Sequence, residues 1–307
     1  MGKQKLLEIK DLCKHFRLGK NLILKAVQDL NLEVFGGETL GMVGESGCGK
    51  STVGKVIVRL HSPTSGEVRL EGINVHRCGK QESKTLFRRM QMIFQDPYTS
   101  LNPRMTVGEM IAEPLRIHGL VPREEVKERV HSLLDMVGLD GSYADRFPHE
   151  FSGGQRQRVG IARSLSVNPK FIVCDEPVSA LDVSSQPQII NLLKDLQHRL
   201  GLTLLFISHN LSVVKHISHR VAVMYLGRLV ELAPSHTLYA SPAHPYTRAL
   251  ISAIPVLETD VEIQRQRIVL GGDVSSPINS HPSCAFSPRC PVALQICCEE
   301  MPSLREI

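Results

Sequence analysis

The stretch GESGCGKST, Gly44 to Thr52, reads as glycine, four free positions, glycine, lysine and serine, with Gly44, Gly49, Lys50 and Ser51 at the fixed places. Gly44, Gly47 and Gly49 let backbone N–H groups converge on phosphate oxygens, and a helix expected over Val53 to Leu60 adds its positive end. In such a loop the lysine bridges the terminal phosphates of a nucleotide and the serine hydroxyl holds Mg²⁺. Gly44, Glu45, Ser46, Gly47, Cys48, Gly49, Lys50, Ser51 and Thr52 are therefore the candidate ATP-binding residues.

Two carboxylates close the apolar run FIVCDEP. Ligands of open parallel sheets gather at the carboxyl ends of the strands. Neighbours on an extended chain point to opposite sides, so Asp175 can serve Mg²⁺ while Glu176 faces an attacking water. Gln95, just after the apolar MQMIF, is a candidate for touching Mg²⁺ and orienting that water. His209 closes LLFISH at the same expected edge and suits a hydrogen bond to the γ-phosphate. The catalytic candidates are Glu176, His209 and Gln95, and the Mg²⁺ candidates Ser51, Gln95 and Asp175.

FSGGQ opens a helical stretch with a hydroxyl, two glycines and no lysine. Ser152, Gly153, Gly154 and Gln155 make a second anion site with no cation to compete for the same phosphate. It lies away from Lys50 on a helical insertion. Two chains arranged head to tail would let this loop cap the γ-phosphate held by the other chain.

The elements that must position these groups follow from periodicity. Leu30, Leu32 and Val34 alternate like a half-buried strand, TLGMVG is a strand running into the first glycine loop, and GEVRLEG is a short strand between glycines. KFIVCDEP and LTLLFISH are continuous apolar runs, as expected of strands buried on both faces. Val126, Val130, Leu133, Leu134 and Val137 form one helical stripe, with Pro122 suited to its start and Gly138 to its stop. Residues 97–165 then read as a helical insertion and VAVMYLGRLVELA as a closing hairpin. Proline density rises beyond Pro234. The domains expected are an ATP-binding domain over 1–233, its helical part at about 97–165, and an extension over 234–307.

Among 307 residues, 36 basic and 31 acidic side chains give +5, too mild and too dispersed for a nucleic-acid surface. No apolar run approaches the roughly 18 residues of a spanning helix. The start MGKQKLLEIK lacks a signal-peptide core and has Leu6 where myristoylation wants Ser or Thr, so a cytoplasmic address is expected.

Taken in order, GESGCGKS, Gln95, FSGGQ, FIVCDEP, SALD and His209 resemble the nucleotide-binding subunit of ATP-binding-cassette (ABC) transporters, over residues 5 to 235. The resemblance implies an α/β P-loop NTPase with an N-terminal antiparallel β region, a helical insertion and a small C-terminal extension. It implies Phe16 as the aromatic that stacks on adenine, whereas the residue pattern alone also fits a core aromatic. It implies Asp182 of SALD as a residue communicating across an ATPase dimer.

FQDPYTSLNPRMTVGEMI and SPAHPYTRALISAIP resemble the ATPase subunits of bacterial dipeptide and oligopeptide importers. That branch implies a second ATPase subunit, two transmembrane permease subunits contacted by residues 95–106, an extracytoplasmic solute-binding protein, and a place on the cytoplasmic face of the inner membrane. Related importers take nickel, glutathione or sugars. A soluble cassette acting on ribosomes or DNA, and an ATP-gated clamp without hydrolysis, are rival readings. The first lacks a second cassette or coiled-coil insertion here, and the second fits poorly with Glu176. No N-K-x-D motif points to guanine.

Of eight cysteines, Cys284, Cys290, Cys297 and Cys298 cluster in the tail. A proline-rich segment with little core gains from a metal staple, and four thiolates suit Zn²⁺ or an iron–sulfur cluster. The resemblance favours [4Fe–4S], with Cys298 standing in for a fourth cysteine that the family carries further on. Free thiols are the other reading. Cys13, Cys48, Cys78 and Cys174 are scattered and read as inert.

Overall fold

The computed structural model describes residues 4–20, 22–254, 268–271, 276, 278 and 283–306. Pro255, the last residue of the HPYT-bearing segment, lies outside them, as do the first three residues read for targeting signals. Among the described residues ten strands run in chain order: β1 (Lys5–Arg17), β2 (Ile23–Phe35), β3 (Thr39–Val43), β4 (Ser65–Leu70), β5 (Ile73–Asn74), β6 (Met90–Ile93), β7 (Phe171–Asp175), β8 (Thr203–Ile207), β9 (Arg220–Tyr225) and β10 (Arg228–Pro234). The chain groups into two compact units. The first takes the described residues of Met1–Leu6, Val34–Thr39 and Leu70–Ile207, and the second those of Leu7–Glu33, Leu40–Arg69 and Ser208–Ile307.

In the first unit β6, β7 and β8 are parallel neighbours, with Ile93 opposite Cys174 and Asp175 opposite Ile207. Every residue of FIVCD and TLLFI is buried, as their unbroken apolar character requires of strands covered on both faces. The insertion folds as helices Val107–His118, Val126–Met136 and Gly153–Leu165, which pack on one another. The first is fixed by a reciprocal cap: Thr106 Oγ1 accepts from the Glu109 N–H, and a Glu109 carboxylate oxygen accepts from the Thr106 N–H. Val126, Val130, Leu133 and Leu134 are the buried stripe of the second. Pro122 does not open that helix directly. A single 3₁₀ turn, Arg123–Glu125, intervenes.

In the second unit β3 runs parallel to β9, and β9 and β10 form the expected antiparallel hairpin, with a register shift between Leu229 and Glu231. β2, β1 and β4 are neighbours in that order in a sheet at the N-terminal side of the chain. Leu30, Leu32 and Val34 are buried on β2 as their alternation predicts. The helix after the glycine loop starts and ends three residues earlier than expected: it covers Lys50–Ile57, Arg59 takes a left-handed φ of 63° and Leu60 is left exposed. Among the described residues, no helix is long and apolar enough to cross a membrane.

Candidate functional site

The glycine loop leaves the carboxyl end of β3 and enters helix Lys50–Ile57 with Gly49 as its N-cap. Gly49 has φ 105°, and a Cβ there would sit 2.1 Å from the Ala26 carbonyl oxygen, so only glycine fits this close approach. The loop is tied down by the Gly227 N–H, which donates to the Cys48 carbonyl at 2.8 Å. Lys50 is 4% exposed, and its Nζ donates to the carbonyls of Gly44 (2.8 Å) and Glu45 (3.0 Å). These bonds fold the ammonium over its own loop, where a phosphate oxygen can exchange for a carbonyl. Burial pushes the Cys48 thiol up, against the opposing pull of Lys50, so it stays a neutral filler beneath the loop.

Glu45 is held from elsewhere. Its N–H donates to the Tyr246 hydroxyl at 2.9 Å, and both its carboxylate oxygens lie 3.2 Å from Arg289 Nη1. Sequence reading missed Tyr246 and Arg289 as neighbours of the loop. The HPYT segment marks the first as unusual, but no local pattern ties it to a glycine loop some 200 positions away.

The first unit carries the two candidate carboxylates, Asp175 and Glu176. Asp175 is buried at the end of β7. Glu176 follows with a left-handed φ of 46°, its N–H donating to the Ile207 carbonyl at 3.0 Å and its carbonyl accepting from the Ser179 N–H and hydroxyl. The β6–β7 register places Ile93 beside Cys174, so Gln95 and Glu176, each two residues on, arrive on the same side. Gln95 Nε2 lies 3.3 Å from a Glu176 carboxylate oxygen. A water held by both groups would be polarised by the carboxylate and oriented by the amide.

Ser152 is the N-cap of helix Gly153–Leu165: its Oγ accepts from the Gln155 N–H at 3.3 Å, while Gln155 Oε1 accepts from the Ser152 N–H at 2.9 Å. This helix start meets the turn that follows SAL. A Cβ on Gly153 would lie 3.4 Å from Leu181 and one on Gly154 3.2 Å from the Ser185 hydroxyl. In that turn Asp182 accepts from the Ser184 hydroxyl (2.5 Å), the Ser185 N–H (3.0 Å) and the Ser185 hydroxyl (3.0 Å), bonds that hold its carboxyl below the usual range. The two motifs, thirty residues apart in sequence, form one surface.

Two further candidates lie in the second unit. His209 is exposed two residues beyond β8. Phe16, on β1, is half-buried rather than part of the core. Its ring meets His61 edge-on at 5.4 Å, and Lys14 Nζ lies 4.8 Å from its centroid.

The tail does not assemble the metal site expected of its cysteines. The Cys284 N–H donates to the Cys297 carbonyl at 3.0 Å, which brings two backbones together. Yet among the described residues no group of three or more His, Cys, Asp or Glu side chains could hold a metal ion. Cys297 and Cys298 are successive residues of the single-turn helix Ile296–Glu299, so their side chains diverge by about a quarter turn or more. Cys298 is exposed, and burial pushes the Cys284 thiol up, favouring the neutral form that ligates poorly. A [4Fe–4S] cluster or structural zinc does not fit these residues as they stand.

Comparison with known proteins identifies the relatives of this chain. The ABC transporter family matches residues 27–179, and the oligopeptide/dipeptide transporter C-terminal region matches residues 230–297. The oligopeptide transport ATP-binding protein OppF of Bacillus subtilis is 58% identical over 86% of this chain and 87% of its own. AppF of the same organism, also an oligopeptide transport ATP-binding protein, is 49% identical over 99% of this chain and 95% of its own. Among solved structures, the dimeric ATP-binding cassette MJ0796 bound to ADP and phosphate superposes with a TM-score of 0.68. It shares 31% identity and covers 75% of this chain and 99% of its own. With a glycine loop ending in Lys50, a Gln95–Glu176 pair and a capped SGGQ helix in one chain, and relatives matched over nearly its full length, the protein belongs to the ABC transporter family as one of its ATP-hydrolysing ATP-binding subunits.

Proposed function

We propose that this chain powers the uptake of dipeptides or oligopeptides through partner membrane subunits, from the cytoplasmic face of the inner membrane. The observation that carries the hydrolytic part is the 3.3 Å contact between Gln95 and Glu176, which supplies a positioned base and an orienting amide. The match of residues 230–297 to a peptide-transporter C-terminal region supports the cargo.

In this reading Gly44 to Thr52 cradle the ATP phosphates, Lys50 neutralises charge on the terminal pair, and Phe16 stacks on the adenine. Ser51, Asp175 and Gln95 are hard oxygen donors of the kind that hold Mg²⁺, which offsets phosphate charge when bound. Glu176 takes a proton from the attacking water, and His209 donates to the γ-phosphate. Ser152 to Gln155 cap the nucleotide of a second ATPase subunit, with Asp182 linking the two sites. ATP hydrolysis belongs to the core over residues 1–233, and 234–307 is an extension of it. The partners are that second ATPase subunit, two permease subunits and an extracytoplasmic binding protein.

The test is phosphate release by the assembled complex in lipid discs, with its binding protein loaded in turn with a dipeptide, an oligopeptide, nickel, glutathione or a sugar. Stimulation by peptide alone is the expected result. Stimulation by another solute alone replaces the cargo, and equal turnover without membrane partners points to a soluble cassette.

A further inference from the structure

We propose that Tyr246 and Arg289 are positioning residues for ATP binding, holding Glu45 so that the loop around Lys50 keeps its shape. The inference rests on the reading of Gly44 to Thr52 as the phosphate cradle.

The argument starts at Glu231. Its carboxylate accepts from the Ala243 and His244 N–H groups, both at 2.9 Å, and so fixes the chain just before a helix. His244 is the N-cap of that helix, Pro245–Ser252, with Nδ1 accepting from the Tyr246 N–H at 3.1 Å. Pro245 sits in the first turn, where its missing N–H costs nothing. HPYT is thus a compact helix start whose purpose is to aim the third residue. Tyr246 is fully buried, and burial raises its hydroxyl above the usual phenol range, so it remains a neutral group. Its oxygen reaches the Glu45 N–H.

Phe286 and Arg289 complete the hold. Phe286 is 2% exposed and packs edge-on against Tyr225 and Tyr246, at 5.3 and 5.7 Å between ring centroids. It anchors the 3₁₀ turn Ser287–Arg289, which delivers the guanidinium to the Glu45 carboxylate. Arg289 Nη1 also donates to the Tyr225 hydroxyl at 3.4 Å, while its buried Nε has no partner among the described residues. A guanidinium so confined depends on the carboxylate in front of it.

Glu45 is therefore gripped at its N–H and at its carboxylate, leaving its carbonyl to receive Lys50. An N–H that faces Tyr246 does not face the cradle. The extension thereby decides which N–H groups of the loop point inward, and it fixes one of the two carbonyls on which Lys50 rests.

The experiment measures the affinity of the full chain for trinitrophenyl-ATP, with unfolding temperature recorded without nucleotide, and KM and kcat in the assembled complex. Tyr246→Phe keeps the ring and removes one hydrogen bond, so affinity should fall about fivefold. Arg289→Gln should do the same. Adding Glu45→Gln to Arg289→Gln should cost nothing more, because both remove one contact. KM for ATP should rise while kcat at saturation stays near wild type. Ile251→Val, a buried change on the same helix with no bond to the loop, controls for mere support of the fold. If it weakens ATP binding as much as Tyr246→Phe at equal thermal cost, the positioning role is overturned. Wild-type affinity in both Tyr246→Phe and Arg289→Gln overturns it too. Lys50→Ala separates the two levels. If Lys50→Ala loses binding and the tail variants do not, only the positioning role fails; if Lys50→Ala binds normally, the cradle reading itself fails.

Discussion

Gln95 and Glu176 come from different strands, yet their side chains meet at 3.3 Å because β6 and β7 are parallel and in a register that pairs Ile93 with Cys174. In the proposed mechanism the contact joins an amide that orients water to a carboxylate that takes its proton. Glu176→Gln should slow hydrolysis by at least ~100-fold while ATP still binds, as expected when a general base is lost. Gln95→Ala should be milder, about tenfold, because an orienting hydrogen bond is removed and the base stays. Single-turnover phosphate release by the assembled complex measures both. Equal losses would remove the distinction between their assigned roles, and a larger loss in Gln95→Ala would exchange them.

Gly153→Asp probes the SGGQ loop. A Cβ there lies 3.4 Å from Leu181, at the edge of ordinary contact, so the fold should survive. The added charge would oppose a phosphate brought by a second subunit. The isolated chain should bind ATP normally, and the assembled complex should fail to hydrolyse it. Loss of binding in the isolated chain would show that the loop serves its own nucleotide.

Gly47 and Gly49 both have positive φ but should respond differently to alanine. At Gly47 nothing stands within 4 Å of an added Cβ, so Gly47→Ala should cost about 1–2 kcal/mol, the left-handed penalty alone. At Gly49 the Cβ meets the Ala26 carbonyl at 2.1 Å, so strain and overlap add to more than about 3 kcal/mol. Urea denaturation of the two variants gives the comparison.

His244 gives the chain an acid-side dependence. Burial lowers its pKa below 6.5, with Glu231 pulling the other way. The folded protein then binds fewer protons at this group than the unfolded chain. Its contribution to stability is intact above pH ~6.5 and falls as pH drops through the folded value. Protonation also places a hydrogen on Nδ1, the atom that caps Tyr246. Unfolding temperatures between about pH 5 and 7 should slope less in His244→Asn, which keeps a capping acceptor and has no titration. A slope unchanged from wild type would assign the dependence to other groups, His15, His61 and His118 among them, whose values are also lowered chiefly by burial.

Much of this was legible in the sequence because its signals are local. A glycine loop announces itself within nine residues, unbroken apolar runs give buried strands, and the hairpin shows in VAVMYLGRLVELA. Register was not legible, so the meeting of Gln95 with Glu176 could be suspected only from their shared role. Cysteine spacing is silent for a related reason. It counts residues along the chain but says nothing of direction, and Cys297 and Cys298 diverge on one helical turn. The Glu45–Arg289 pair spans 244 positions, and no periodicity carries information across that distance.

The bond between Tyr246 and the Glu45 N–H has an evolutionary corollary. A proline at position 45 would carry no hydrogen for the phenol to accept, and a phenylalanine at position 246 would strand the one that Glu45 offers. For this bond position 246 should keep its hydroxyl, whereas position 45 can be any residue except proline. A tail of this type moved by recombination onto an ATPase with proline at that place in its loop would arrive with its grip empty. Such a tail therefore suits any loop that offers an N–H at this place, and proline is the residue the pairing excludes.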